Sequence, residues 1–134
     1  MMNQMALLLM LVMLGGCSAR VSNAPGTDVM ARDTVTALKA SYPPARTRLC
    51  VTKAPKDAFA KNLVTALRQQ GYAVAEQCDG KTTPIASHLF TNGNRAMVSV
   101  QVNDKRFARA FNTQQETPAA LGVWTRGELS HARG

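Results

Sequence analysis

Residues 85–111 read IASHLFTNGNRAMVSVQVNDKRFARAF, three runs of strand character separated by two tight turns. Asn92-Gly93-Asn94 predicts a hairpin, because Asn and Gly accept positive φ at small cost. Arg95 to Asn103 is the clearest strand of the chain. Ala96, Val98, Val100 and Val102 face one way and Met97, Ser99, Gln101 and Asn103 the other, the two-residue period of a pleated surface. Asn103-Asp104-Lys105 turns again into Arg106 to Phe111, with Phe107, Arg109 and Phe111 on one face. Ahead of the hairpin, Ile85 to Thr91 predicts a further strand whose apolar face His88 interrupts. After the meander, a loop over 112–119 leads to a last short strand, Gly122 to Arg126. These runs predict a mainly antiparallel sheet.

The residues before the meander follow a different period. Thr27-Asp28 can cap a helix running to about Ser41, in which Ala31, Val35, Leu38 and Tyr42 recur on one face. Pro43-Pro44 ends it. Arg46 to Lys53 predicts a strand. Pro55 suits the first turn of a second helix and Asp57 favours its dipole there. In that helix Phe59, Leu63, Ala66 and Gln70 share a side, widened by Val64 and Leu67, and Gly71 supplies a left-handed C′ residue. Tyr72 to Gln77 predicts a second strand. A strand–helix–strand crossover makes these two strands parallel, either adjacent or one strand apart. Cys78 to Pro84 predicts a loop. The fold class is therefore α+β: one small domain, helix–strand–helix–strand then an antiparallel meander, with two helices packed on a mainly antiparallel sheet.

The front of the chain belongs to none of this. Met5 to Leu14 is an unbroken apolar run, and residues 1–16 carry no charge but five of the seven methionines. Ten helical residues cover about 15 Å, half of a hydrocarbon core of roughly 30 Å, so the run has the length of a signal-peptide core and not of a membrane span. Leu14-Gly15-Gly16-Cys17 resembles the lipobox of bacterial lipoproteins, although residues 1–4 lack the usual Lys or Arg. The resemblance implies cleavage before Cys17, acylation of its thiol and of the new amine, and anchoring by three acyl chains. Ser18, where Asp would favour inner-membrane retention, implies sorting to the outer membrane. The expected organisation is a signal peptide over 1–16, the lipidated cysteine and a tether over 17–27, the α+β domain over 28–128 and a polar tail over 129–134.

The chain has 134 residues, 16 Lys plus Arg against 8 Asp plus Glu, a net charge of +8 and 46% apolar residues. These counts allow one domain and exclude long transmembrane bundles, collagen-like repeats and a disordered acidic tail. The charge divides as +1 over 17–45, +3 over 46–80 and +4 over 81–134. It is spread out, where a nucleic-acid surface needs a concentrated stripe with stacking aromatics. A solvated face is the expectation, and direct nucleic-acid binding is not. His88 and His131 are the only histidines. Neither has metal-ligand spacing, the carboxylates are scattered singly, and no phosphate-binding glycine loop occurs. No catalytic residue, metal, cofactor or small-molecule substrate is expected.

Two cysteines of the exported portion leave alternatives open. A Cys50–Cys78 bridge would close about 29 residues and stabilise by about 3 kcal/mol. Against it, Cys50 alternates out of phase with Leu49 and Val51, whereas Cys78 is in phase with Val74, which places the thiols on opposite faces. Trp124, the only tryptophan, either closes the core from the final strand or faces a partner. Arg109, Trp124 and Arg126 are the candidate partner-facing residues.

Tyr42-Pro43-Pro44-Ala45 with Thr47-Arg48, then Phe59, Leu63-Val64, Leu67-Arg68 and Gly71-Tyr72-Ala73-Val74, form an ordered series. It continues through Arg109-Ala110-Phe111 to Pro118-Ala119, Val123-Trp124, Arg126 and Glu128. In order and spacing it resembles the TrbH family of conjugal transfer lipoproteins, from about residue 28 to 128, with the lipobox in front. Cys78 to Thr91 departs from the pattern, and Cys50 and Cys78 lie outside it. The resemblance implies a structural or assembly component of a Trb-type mating-pair formation apparatus, a conjugative type IV secretion system. Its place would be the periplasmic side of the outer membrane, and its partners other channel subunits. The alternative is a free-standing envelope lipoprotein, an adaptor, pilotin-like or exclusion factor.

Overall fold

The computed structural model of the chain describes residues 26–128. The expected signal peptide, Cys17, nearly all of the tether and the tail with His131 lie outside the described residues. The meander forms over the predicted stretch, as β3 (Thr83–Asn92), β4 (Arg95–Val102) and β5 (Lys105–Asn112), all antiparallel. Asn92 pairs with Arg95, and Val102 with Lys105, so each turn has a two-residue loop. Gly93 has φ 62 and Asn103 φ 57, the left-handed conformation for which Gly and Asn were singled out. His88 pairs with Ser99 on the face away from the buried valines, so it does not interrupt the apolar side.

The earlier residues add β1 (Arg48–Val51) and β2 (Ala73–Ala75), parallel to each other and adjacent. The final strand, β6 (Ala119–Glu128), is ten residues long, well beyond the predicted Gly122 to Arg126. The six strands lie in the order β2-β1-β3-β4-β5-β6. Two helices cover one face of this mixed sheet, so the domain is α+β as expected.

Helix α1 spans Thr27–Ser41, with Gly26 at its N-cap in place of Thr27 or Asp28. Thr27 is inside the helix because its hydroxyl is used elsewhere, accepting a 2.8 Å hydrogen bond from Asn62 Nδ2. Helix α2 spans Ala58–Gln69 and starts three residues later than Pro55 suggested. Asp57 sets that start: its carboxylate accepts the Ala60 N–H at 2.8 Å. Gly71 follows α2 with φ 94. Thr27 meets Asn62 at the starts of the helices and Lys39 meets Gln70 at their ends, so α1 and α2 run side by side in the same direction.

Between sheet and helices lies a single core. Met30, Val35 and Leu38 come from α1, Phe59, Leu63 and Leu67 from α2, and Leu49, Ile85, Val98, Val100, Phe107 and Phe111 from the strands. Burial of these side chains, at about 25 cal/mol per Å² of apolar surface, is what opposes the entropy of ordering the chain.

Strands β2 and β3 are both parallel to β1 and flank it, so residues 76–82 must cross β1 to join them. Cys50 points away from the helices, since its neighbours Leu49 and Val51 face them, and it is fully buried. Cys78 is bonded to it, with the Cα atoms 5.0 Å apart. The crossing loop therefore passes over the outer face of β1 and is strapped there. The opposite-face argument fails for a local reason. Strand β2 ends at Ala75, so the alternation that fixes Val74 has lapsed before Cys78.

Candidate functional site

The partner-facing candidates come from β5 and β6, and their geometry begins with an irregular pairing. Ala108 pairs with Thr125 and Ala110 with Leu121, so Arg109 alone stands opposite Gly122, Val123 and Trp124. Such a bulge bends the edge strand and re-aims its side chains. Gly122 takes φ 85 within it, and its carbonyl accepts from Arg109 Nε at 3.0 Å.

Arg109 faces α1 by the alternation of β5, beside Phe107 and Phe111, and Trp124 shares the side of Arg126, so both meet one carboxylate. Arg109 Nη1 and Asp33 Oδ2 form a 2.7 Å ion pair, with the two side chains 20% and 31% exposed. Trp124 Nε1 donates to the same oxygen at 3.1 Å. The guanidinium also lies 5.9 Å from the ring centres of both Phe111 and Trp124. A cation held between two aromatic rings and a carboxylate is fixed in direction as well as in charge. Trp124 is thus half-buried: its ring packs on the core edge while its polar end joins α1 to β6. Both alternatives for this residue contain part of the geometry, since it closes the core and still reaches the surface.

Arg126 sits two residues on, opposite Phe107 in register, with its guanidinium 5.7 Å from that ring centre. It belongs to the same side of the sheet but to a separate contact. A small recess there is lined by Ser41, Lys105, Phe107, Arg126, Gly127 and Glu128. Asp33 is the member that sequence reading missed. Its one signal was an acid beside the apolar stripe of α1, between Met30-Ala31 and Thr34-Val35, and its partner lies 76 residues away.

Elsewhere, α2 and the ends of β1 and β3 enclose a groove of about 590 Å³. Val51, Leu63, Val64, Leu67 and Ile85 form its apolar wall, with Lys53 and Lys56 beside them. Asp57, the carboxylate bordering it, is engaged in capping α2. His88 stacks on Phe90, with ring centres 5.8 Å apart. Among the described residues no group of His, Cys, Asp or Glu has the arrangement to hold a metal ion, and no helix is long and apolar enough to cross a membrane.

Among the described residues titration is perturbed at three places, Tyr42, Tyr72 and Asp79. Burial raises the Tyr72 phenol, whose hydroxyl donates to the Tyr42 carbonyl. Burial, and then the charge of Asp104, raises Tyr42. In the crossing loop Asp79 is lowered, first by the Lys81 N–H it accepts at 2.8 Å and then by the Thr82 hydroxyl. The described residues offer binding surfaces and fixed charge.

No curated protein and no solved structure matches the chain. One family model does match, described as conjugal transfer protein TrbH, over residues 15–128. That span takes in Gly16-Cys17, both helices, all six strands and the Asp33–Arg109–Trp124 cluster. With the greater part of its length matched, the chain belongs to the TrbH family of conjugal transfer proteins.

Proposed function

We propose that the chain is an outer-membrane lipoprotein that helps assemble or brace a conjugative type IV secretion channel, of the Trb mating-pair formation type, from the periplasmic side. One observation carries this reading: the family match begins at Gly15 and so runs on unbroken from the lipobox residues into the folded domain. Cleavage before Cys17 and acylation there would attach the domain to the membrane. Each acyl chain contributes about 0.8 kcal/mol per buried CH₂, so three chains hold durably without a spanning helix. The folded domain then presents its β5–β6 end to other channel subunits, with Arg109, Trp124 and Arg126 as the contact residues. No turnover, cofactor or small-molecule substrate enters this role.

The test is Cys17→Ser in a mating-competent strain. The expected result is a precursor-sized or soluble form without lipid on its N-terminal peptide by mass spectrometry, together with loss of transfer by at least a hundredfold. Transfer at the parental frequency from an unacylated chain would refute anchoring as essential. Neighbouring reading frames for other Trb-type proteins support the channel role, and a metabolic operon in their place refutes it.

A further inference from the structure

The helices cover one side of the sheet only. On the other side, Phe90 pairs with Met97, Met97 with Ala110 and Ala110 with Leu121. Directly paired residues project to the same side, so these four form one row across β3, β4, β5 and β6. The row is open: Phe90 is 58% exposed, Met97 42% and Leu121 39%, and the nearby Val123 76%. Scattered exposed apolar side chains need no explanation, whereas a contiguous row marks an interaction surface. Alternation puts Arg95 and Arg106 on this side as well, at the two ends of the β4–β5 pair, and the positions of β3 to β6 that share it include no Asp or Glu. The crossing loop strapped by Cys50–Cys78 shields the outer face over β1.

Where the chain enters the domain selects the occupant. Gly26 stands against Pro118, at the end of the sheet where β6 begins and where Thr113 bonds back to Asn94. The row lies two residues inside that end, about 7 Å away at roughly 3.4 Å per residue. From Cys17 to Gly26 the chain spans at most about 30 Å even fully extended. The apolar row and its two arginines are thus held within reach of the plane in which Cys17 would be anchored.

We propose that this open face, along Phe90, Met97, Ala110 and Leu121 with Arg95 and Arg106 at its margins, rests on an anionic phospholipid surface. The apolar side chains enter the headgroup layer and the guanidinium groups pair with phosphates. The inference rests on Cys17 being the lipid anchor. It leaves the helix side with the Asp33–Arg109–Trp124 cluster directed away from the membrane, and the β6 edge open laterally toward partners.

The test uses the lipidated chain reconstituted in vesicles of phosphatidylethanolamine and phosphatidylglycerol (3:1). A photo-crosslinking phenylalanine analogue replaces Met97, or replaces exposed Lys61 on α2 as a control, and adducts are read by mass. Acylation at Cys17 is read in the same sample. The expected result is phospholipid adduct at position 97 at least tenfold above position 61. Arg95→Glu with Arg106→Glu should lower that adduct several-fold, and the effect should vanish in vesicles of neutral phosphatidylcholine alone. An acylated chain with equal adduct at both positions, with none at 97, or with a second copy crosslinked at 97, overturns the docking. A chain whose Cys17 carries no acyl group overturns the anchor reading and the docking with it.

Discussion

Asp33 is where the two layers of the domain are tied by charge. It accepts from Arg109 and from Trp124 through the same oxygen, so replacing it leaves a largely buried guanidinium and an indole N–H without their partner. Asp33→Ala is expected to lower stability by about 2 kcal/mol, within the range for charge-assisted hydrogen bonds. Urea unfolding measures the loss, and the emission of the single tryptophan should shift to the red. Asp33→Asn keeps an acceptor for Trp124 and should lose about half as much. Trp124 itself was legible as important because it is unique. Its half-buried position was not, because the carboxylate that holds its indole N–H lies 91 residues away in sequence.

Among the elements, the crossing loop depends most on a single covalent bond. It carries no regular structure and reaches β3 only by passing over β1. Cys50→Ser with Cys78→Ser should therefore lower stability by about 3.6 kcal/mol, the chain-entropy value for a bridge with a sequence separation of 28. Amide exchange should rise first in residues 76–82 and in β2, while β4 and β5 remain protected. The contrast with the meander shows what sequence can carry. A two-residue period and Asn-Gly turns are local, so β3, β4 and β5 could be read to within a few residues. The side on which Cys78 falls depends on a path through space after β2 has ended, and periodicity holds no information about it. The start of α2 failed for a smaller reason: Pro55 and Asp57 are both good early-helix residues, and the capping bond of Asp57 chooses between them.

At the scale of the whole molecule, α1 is held against β5 and the start of β6 at three levels. Gly26 meets Pro118, Asp33 meets Arg109, and the Tyr42 ring stands edge-on to Phe107, with centres 6.3 Å apart. Tyr42 and Tyr72 close the lower level, and both phenols titrate above the ordinary 10.0 because the fold buries them. The unfolded chain gives up these protons first. Stability from this source is therefore complete below about pH 10 and is lost as pH rises through 10 toward the raised folded values. Chemical denaturation at pH 8, 10 and 11 should show no change over the first interval and a fall over the second. Tyr72→Phe should reduce the fall.

The two margins of the sheet are unequal. Strand β2 is three residues long beside the strapped loop, whereas β6 offers ten residues of exposed backbone, uncharged from Ala119 to Thr125. Unpaired margins are templates for further strands, so β6 is the longer template, although the bulge opposite Arg109 interrupts it, and β2 is the shorter. Two copies joined margin to margin through β6 about a twofold axis would have only the β2 margins left. The short second strand thus sets a limit: a pair joined through β6 would present only two three-residue margins, a poor start for a continuous fibre.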